Sequence, residues 1–153
     1  TKALTKTIKK LLEDYDIVII DGTPSLSEMT TRIILSSDIL IIPIRPGAHD
    51  FRTMDEFLIR YDQAKEFKEY IPALMLLNEY AESKQVHKGI KEMLASNYEI
   101  PLLKTTIKNR VAYAESSIVG EGVYEGIDNL AKKEMVDLTK EVLKEASKIG
   151  LIS

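Results

Sequence analysis

At 153 residues the chain has room for one domain around a single core, and its 44% apolar content is ordinary for a globular fold. A formal charge of −3 gives no global attraction for nucleic acid, so any such contact has to be a local patch. The lack of cysteine excludes a disulfide framework, a thiolate nucleophile and a thiolate metal site, and no apolar run nears the ~18 residues of a membrane span.

The N-terminal stretch TKALTKTIKKLL is basic but has neither the cleavage site nor the apolar core of a signal peptide, so a cytoplasmic protein is expected. The chain opens on Thr rather than Met, as a trimmed polypeptide does. There is no repeat, low-complexity tract or Gly/Ser/Pro-rich linker, which predicts a single α/β domain over 1–153.

Leu4, Ile8, Leu11 and Leu12 recur at helical spacing and predict a first helix with Lys6, Lys9 and Lys10 on its polar face. Asp16–Asp21 follows as a buried strand whose core is Ile17, Val18, Ile19 and Ile20. A short helix around Ser27–Leu35 leads to a second apolar run, Ile39–Ile44, interrupted by Pro43. Runs this unbroken suit parallel strands covered on both faces. Asp50 is placed as the N-cap of a helix with Phe51, Met54, Leu58 and Tyr61 on one stripe. Pro72 opens a third strand, Ala73–Leu77, ending at Asn78, and Ser83 is placed as the cap of a helix with Val86, Ile90 and Met93 or Leu94 inward. A fourth strand spans about Leu102–Ile107 and ends in the polar turn Lys108-Asn109-Arg110. Asp128 caps the last helix, with Leu130 or Ala131, Met135, Leu138, Val142, Ala146 and Ile149 inward and Gly150 as its stop. The strand ends are expected along one edge of a mostly parallel sheet flanked by helices.

Ligands of open parallel sheets bind outside the carboxyl ends of the strands, which makes Asp21 the first candidate. An acid there can accept from a Mg²⁺-bound water, or it can cap a turn with no ligand at all. Asn78 also ends a strand, and its amide offers a donor and an acceptor to a base edge, or caps the following turn. Lys104, Lys108 and Arg110, with Lys84 and Lys88, form either a phosphate-facing patch or a solvated face balanced by acids. Arg45, at the end of the second run, either reaches across an interface between subunits or serves the fold. His49 and His87 have no partner at metal-ligand spacing and read as surface residues, and Ser25 and Ser27 have no nearby His to activate them.

The segment YDIVIIDGTPSLSEMTTRIIL followed by SSDILIIPIRP resembles the ParA/MinD family of deviant-Walker ATPases. Asp21, Pro24, Ser25, Leu26, Thr30, Asp38 and Pro43 fall in register with that family's pattern, and VAYAES with its following Gly-rich turn and closing helix resembles the family's C-terminal segment, Glu115 keeping its acid. The resemblance implies the C-terminal part of a P-loop NTPase-like, SIMIBI-type domain. It implies ATP and Mg²⁺ as cofactors, with Asp21 catalytic and orienting Mg²⁺ through water. Gly22, Thr23 and Pro24 then form a γ-phosphate switch, and Asn78, Lys108 and Asn109 line the base pocket. It further implies an ATP-bound homodimer, nonspecific DNA association through Lys104, Lys108 and Arg110, nucleoid association, a ParB-like stimulating partner, no membrane, and a role in plasmid or chromosome partitioning.

The departures are also specific. Gly22-Thr23-Pro24 stands in place of Thr-Pro-Pro, Ile107-Lys108-Asn109 lacks the proline of an Ile-Pro-Arg turn, and Ala112 replaces a basic residue. The Gly-rich phosphate loop with its lysines is absent from these residues, so the chain alone is expected to bind ATP poorly and not to hydrolyse it, ATP hydrolysis belonging to the full-length protein. The alternatives are an orphan ParA-like protein of conjugative transfer, a MinD-like positioning regulator, or a doubly wound binding domain without ATPase activity.

Overall fold

The structure, a computed structural model, describes residues 2–22 and 27–152, without the side chains of 2, 3 and 48–51. It divides into two compact units, Thr1–Leu40 with Arg52–Pro72, and Ile41–Phe51 with Ala73–Ser153. Nine elements are described: α1 (Lys2–Leu11), α2 (Glu28–Ser36), β1 (Leu40–Ile44), α3 (Ala48–Lys65), β2 (Ala73–Leu77), α4 (Gln85–Asn97), β3 (Leu102–Thr106), α5 (Val111–Val119) and α6 (Asn129–Lys148).

The second unit is built on a three-stranded sheet of order β1-β2-β3. Leu40 N–H donates to Pro72 C=O and Asn78 N–H to Ile44 C=O, so β1 and β2 meet start to start and end to end. The β2–β3 pair is also parallel. Every residue of β2 is buried, as its unbroken ALMLL run demands of a central strand. Between the pairs Met75–Leu102 and Leu77–Thr106, β2 advances two residues and β3 advances four, a bulge in the outer strand. Leu94 of α4, Leu103 and Ile107 of the β3 region, and Ala131 and Ala146 of α6 are also buried, as are Ile44, Tyr80, Ile100 and Val123.

Helix α6 starts as its sequence predicts. The Asp128 carboxylate accepts from the N–H groups of Leu130 and Ala131 at 2.9 and 3.0 Å, and these two bonds, that of Ala131 first, hold its carboxyl below the usual range. The helix ends where Gly150 takes φ 73° and Leu151 N–H returns to Ala146 C=O. Asp128→Ala is expected to lower stability, because the first turn of the helix loses its side-chain acceptor, and thermal melts followed by circular dichroism measure it.

In the first unit Ser27 caps α2 reciprocally, its Oγ accepting from Met29 N–H while Thr30 Oγ1 accepts from Ser27 N–H. Ile34, Leu40, Met54, Tyr61, Ala64 and Ile71 are its buried hydrophobic residues, and the Tyr61 hydroxyl donates to the Ile71 carbonyl.

Four expectations are corrected. Asp16–Asp21 is not a strand: among the described residues it joins no ladder, and Ile17 and Ile19 are 60% and 89% exposed while Val18 and Ile20 are half-buried. An apolar run is a strand only where a neighbour supplies partners for its amides, and here one face lacks cover. Helix α3 begins at Ala48, so Asp50 lies inside it rather than capping it. Helix α4 has Lys84 at its N-cap, with no side-chain bond, in place of Ser83, and Val86 is 71% exposed instead of inward. Residues Val111–Val119, left without an element in the sequence, form α5.

Candidate functional site

The carboxyl edge of the sheet gathers three of the strand ends that the sequence singles out. Asn78 N–H reaches Ile44 C=O at 2.9 Å, Ile107 N–H reaches Leu77 C=O at 2.9 Å, and Tyr80 N–H returns to Ile107 C=O at 2.9 Å. These bonds set the turns after β1, β2 and β3 side by side, bringing Arg45, Asn78 and Lys108 onto one edge. Arg45 pairs with Glu79 at 3.1 Å across that edge. Glu79 adopts φ 55°, and its N–H is held at 3.0 Å by the Asn78 Oδ1. The Asn78 carbonyl is therefore engaged within its own turn, and its NH₂ group is what remains to meet a ligand.

The Lys108–Arg110 turn is fixed from below by one carboxylate. Glu134, on α6, accepts from Lys108 N–H at 3.2 Å, from Arg110 Nε and Nη2 at 3.0 and 2.7 Å, and from the Tyr113 hydroxyl at 3.0 Å. The Arg110 and Glu134 side chains are only 19% and 12% exposed. Burial alone pushes the Glu134 carboxyl up, but the Arg110 bond, the Lys108 N–H and the Tyr113 hydroxyl outweigh it and hold the group below its usual range. Burial and the bond to Glu134 push the Tyr113 phenol up. The Glu134 bond likewise raises the Arg110 guanidinium. Seven residues further along the helix, Glu141 takes the Lys104 and Thr105 N–H groups at 2.7 and 2.8 Å. Burial raises Glu141 too, and the Thr105 side chain with the two N–H groups brings it below its usual range.

Of the sequence candidates, Asn78, Lys108 and Asn109 share this edge, with Lys108 half-buried and Asn109 exposed. Lys104 is exposed, whereas the charge of Arg110 is matched by Glu134. Asp21 and Gly22 are exposed in the first unit, in a segment without regular structure. A Cβ on Gly22 meets Ile33 Cδ1 at 3.6 Å, ordinary contact, so the position does not demand glycine. Thr23, Pro24 and Ser25 lie outside the described residues. Glu134 and Glu141 went unnoticed in the sequence. Their signal is that both fall in register with Leu138 on the inward stripe of α6, where an acid has to find partners.

One exposed carboxylate suits Mg²⁺ held through water, an ion that commonly keeps several waters and takes the rest of its shell from phosphates. Among the described residues no group of three or more His, Cys, Asp or Glu side chains could enclose a metal by itself. Among them too, no helix is long and apolar enough to cross a membrane.

Residues 1–75 match the family model described as "AAA domain". A "ParA family protein" of Mycoplasma pneumoniae (strain ATCC 29342 / M129 / Subtype 1) is 20% identical over 112 residues, which cover 73% of this chain. The chain is ParA-like. Its parallel α/β architecture agrees with a P-loop NTPase-like domain. The matched region spans 38% of the length of the ParA-like relative.

Proposed function

We propose that the chain serves in a ParA-type ATPase that partitions plasmids or chromosomes by ATP-dependent dimerisation and DNA association. The observation carrying this reading is the likeness to a ParA family protein across 112 residues, which is joined by the motif register from Asp21 to Pro46. In this reading Asp21 orients Mg²⁺ through a bound water, and Gly22, Thr23 and Pro24 sense the γ-phosphate. The Asn78 NH₂ group and the Lys108-Asn109 turn face the base, on the edge where parallel sheets present ligands. The two units act as parts of one ATPase domain. The Gly-rich loop that grips phosphate is supplied from outside these 153 residues.

Nonspecific DNA is met by Lys104 and Lys108, with Arg110 holding the turn in place through Glu134 rather than contributing a free charge. A ParB-like partner stimulates turnover, and the protein works in the cytoplasm on the nucleoid, away from the membrane.

The decisive experiment is Asp21→Ala in the whole ATPase. Turnover is expected to be abolished while the circular dichroism spectrum is retained; a variant that still hydrolyses ATP refutes the role of Asp21. In the isolated 153-residue chain, calorimetry is expected to show no micromolar binding of Mg-ATP.

A further inference from the structure

We infer that His87 is an acid-opened latch on the loop that joins β2 to α4. That loop, residues 78–84, is tied to the sheet at its start by the Asn78 and Tyr80 N–H groups. Its second half is held differently: Ala81 N–H donates to the His87 Nδ1 at 3.0 Å. The half-buried imidazole sits 5.9 Å from the buried Tyr80 ring, which fixes its position.

His87 is the third residue of α4, and the helix N-cap, Lys84, makes no side-chain bond. The imidazole reaches back to an upstream N–H from the place where Glu or Gln acts in a capping box. It stands in for the missing cap. Unlike an amide or a carboxylate near neutral pH, it loses its acceptor on taking up a proton.

Nδ1 accepts only while it carries no proton, so the closed latch is the neutral ring with its hydrogen on Nε2. Protonation turns Nδ1 into a donor facing another donor, and it places a positive charge at the start of a helix, where the backbone dipole disfavours one.

The charged and titratable neighbours come from three elements. The loop contributes Tyr80, Glu82 and Glu79, the last paired at 3.1 Å with Arg45 from the end of β1. The start of α4 contributes Lys84, whose carbonyl accepts the His87 N–H at 3.0 Å, and Lys88. Lys91, one turn on, places its ammonium 5.5 Å from the centre of the Tyr80 ring. Opening frees the Ala81 N–H, while the Lys84 N–H stays on the Ala81 C=O at 3.1 Å and Asn78 and Tyr80 stay tied to the sheet. The latch stands on loop geometry alone and does not require the nucleotide reading.

The test is nuclear magnetic resonance on the ¹⁵N-labelled 153-residue chain between pH 8 and pH 5, following the Ala81 amide and the imidazole of His87. After correction for intrinsic exchange, protection of the Ala81 amide is expected to fall about fivefold, the net worth of one hydrogen bond, with a midpoint matching the His87 ring. His87→Gln, whose amide oxygen accepts at every pH, is expected to keep protection with no midpoint. His87→Phe keeps a ring beside Tyr80 but loses protection throughout. His49→Gln, at the other histidine, leaves the transition in place. Protection that ignores the His87 titration, or a midpoint that survives in His87→Gln, overturns the latch.

Discussion

Glu134→Ala is expected to cost about 2 kcal/mol of folding stability, within the range for losing hydrogen bonds to a charged group, because the cluster is only partly buried. The loss comes from three directions at once. The Lys108 N–H, the Arg110 fork and the Tyr113 hydroxyl all converge on this carboxylate, and each loses its acceptor when it is removed. Urea titrations of the two proteins measure the difference. Glu134→Ala should also release the Lys108–Arg110 turn, so the amides of that turn should lose protection more than those of β2.

The same carboxylate gives the stability curve a direction in pH. Glu134 is held below its ordinary value of 4.5 in the folded chain, so its contribution is complete above that value. It fades as pH falls below about 4.5, where the unfolded chain takes up the proton first, and is gone once pH passes the folded value. Glu141 and Asp128 shift the same way and add to the acid limb. Glu134→Ala is therefore expected to flatten part of the fall in stability between neutral and acid pH. An unchanged slope would show that the clasp does not discriminate between the two protonation states.

Leu77→Ala is expected to cost about 3 kcal/mol, from lost apolar transfer and the cavity left in the middle strand. Leu77 is completely buried, and its carbonyl receives the Ile107 N–H that docks the end of β3, so its neighbours have little freedom to close the gap. Leu77→Met keeps the volume and is expected to stay within about 1.5 kcal/mol. Val86→Ala is the useful contrast. Helical spacing places Val86 inward, but it is 71% exposed, and its truncation is expected to change stability by no more than about 0.5 kcal/mol. Thermal or urea unfolding of the three variants measures the difference between spacing and actual cover.

That contrast marks what residue patterns can carry. The runs at 39–44, 73–77 and 102–107 were legible as strands because each is short, apolar and closed by turn residues, and each found a neighbour. The run at 16–21 looks equally strand-like, yet a strand is a relation between two segments, and no pattern within one segment reports its partner. Helix α5 escaped notice because VAYAESSIV begins without a side-chain cap and buries none of its residues. Its hold comes from Tyr113, whose hydroxyl reaches α6 about twenty residues away in sequence. At the sheet edge, Asn78 and Lys108 were legible as strand ends. The clasp beneath them was not, because charge patterning treats an acid on a long helix as solvated until its depth is known. The role proposed for Asp21 comes from the family resemblance, since spacing alone leaves it a turn cap or a Mg²⁺ partner.

The bulge in β3 has a consequence for solubility. β3 is one of two outer strands among the described residues, and an outer strand with open amides is a template on which another extended chain can grow. Here the amides of Lys104 and Thr105 are already taken by the two oxygens of Glu141, so an incoming strand would have to displace a charged acceptor before its first bond formed. Through that one side chain the last helix covers two amides of this edge that a neighbouring strand would otherwise use.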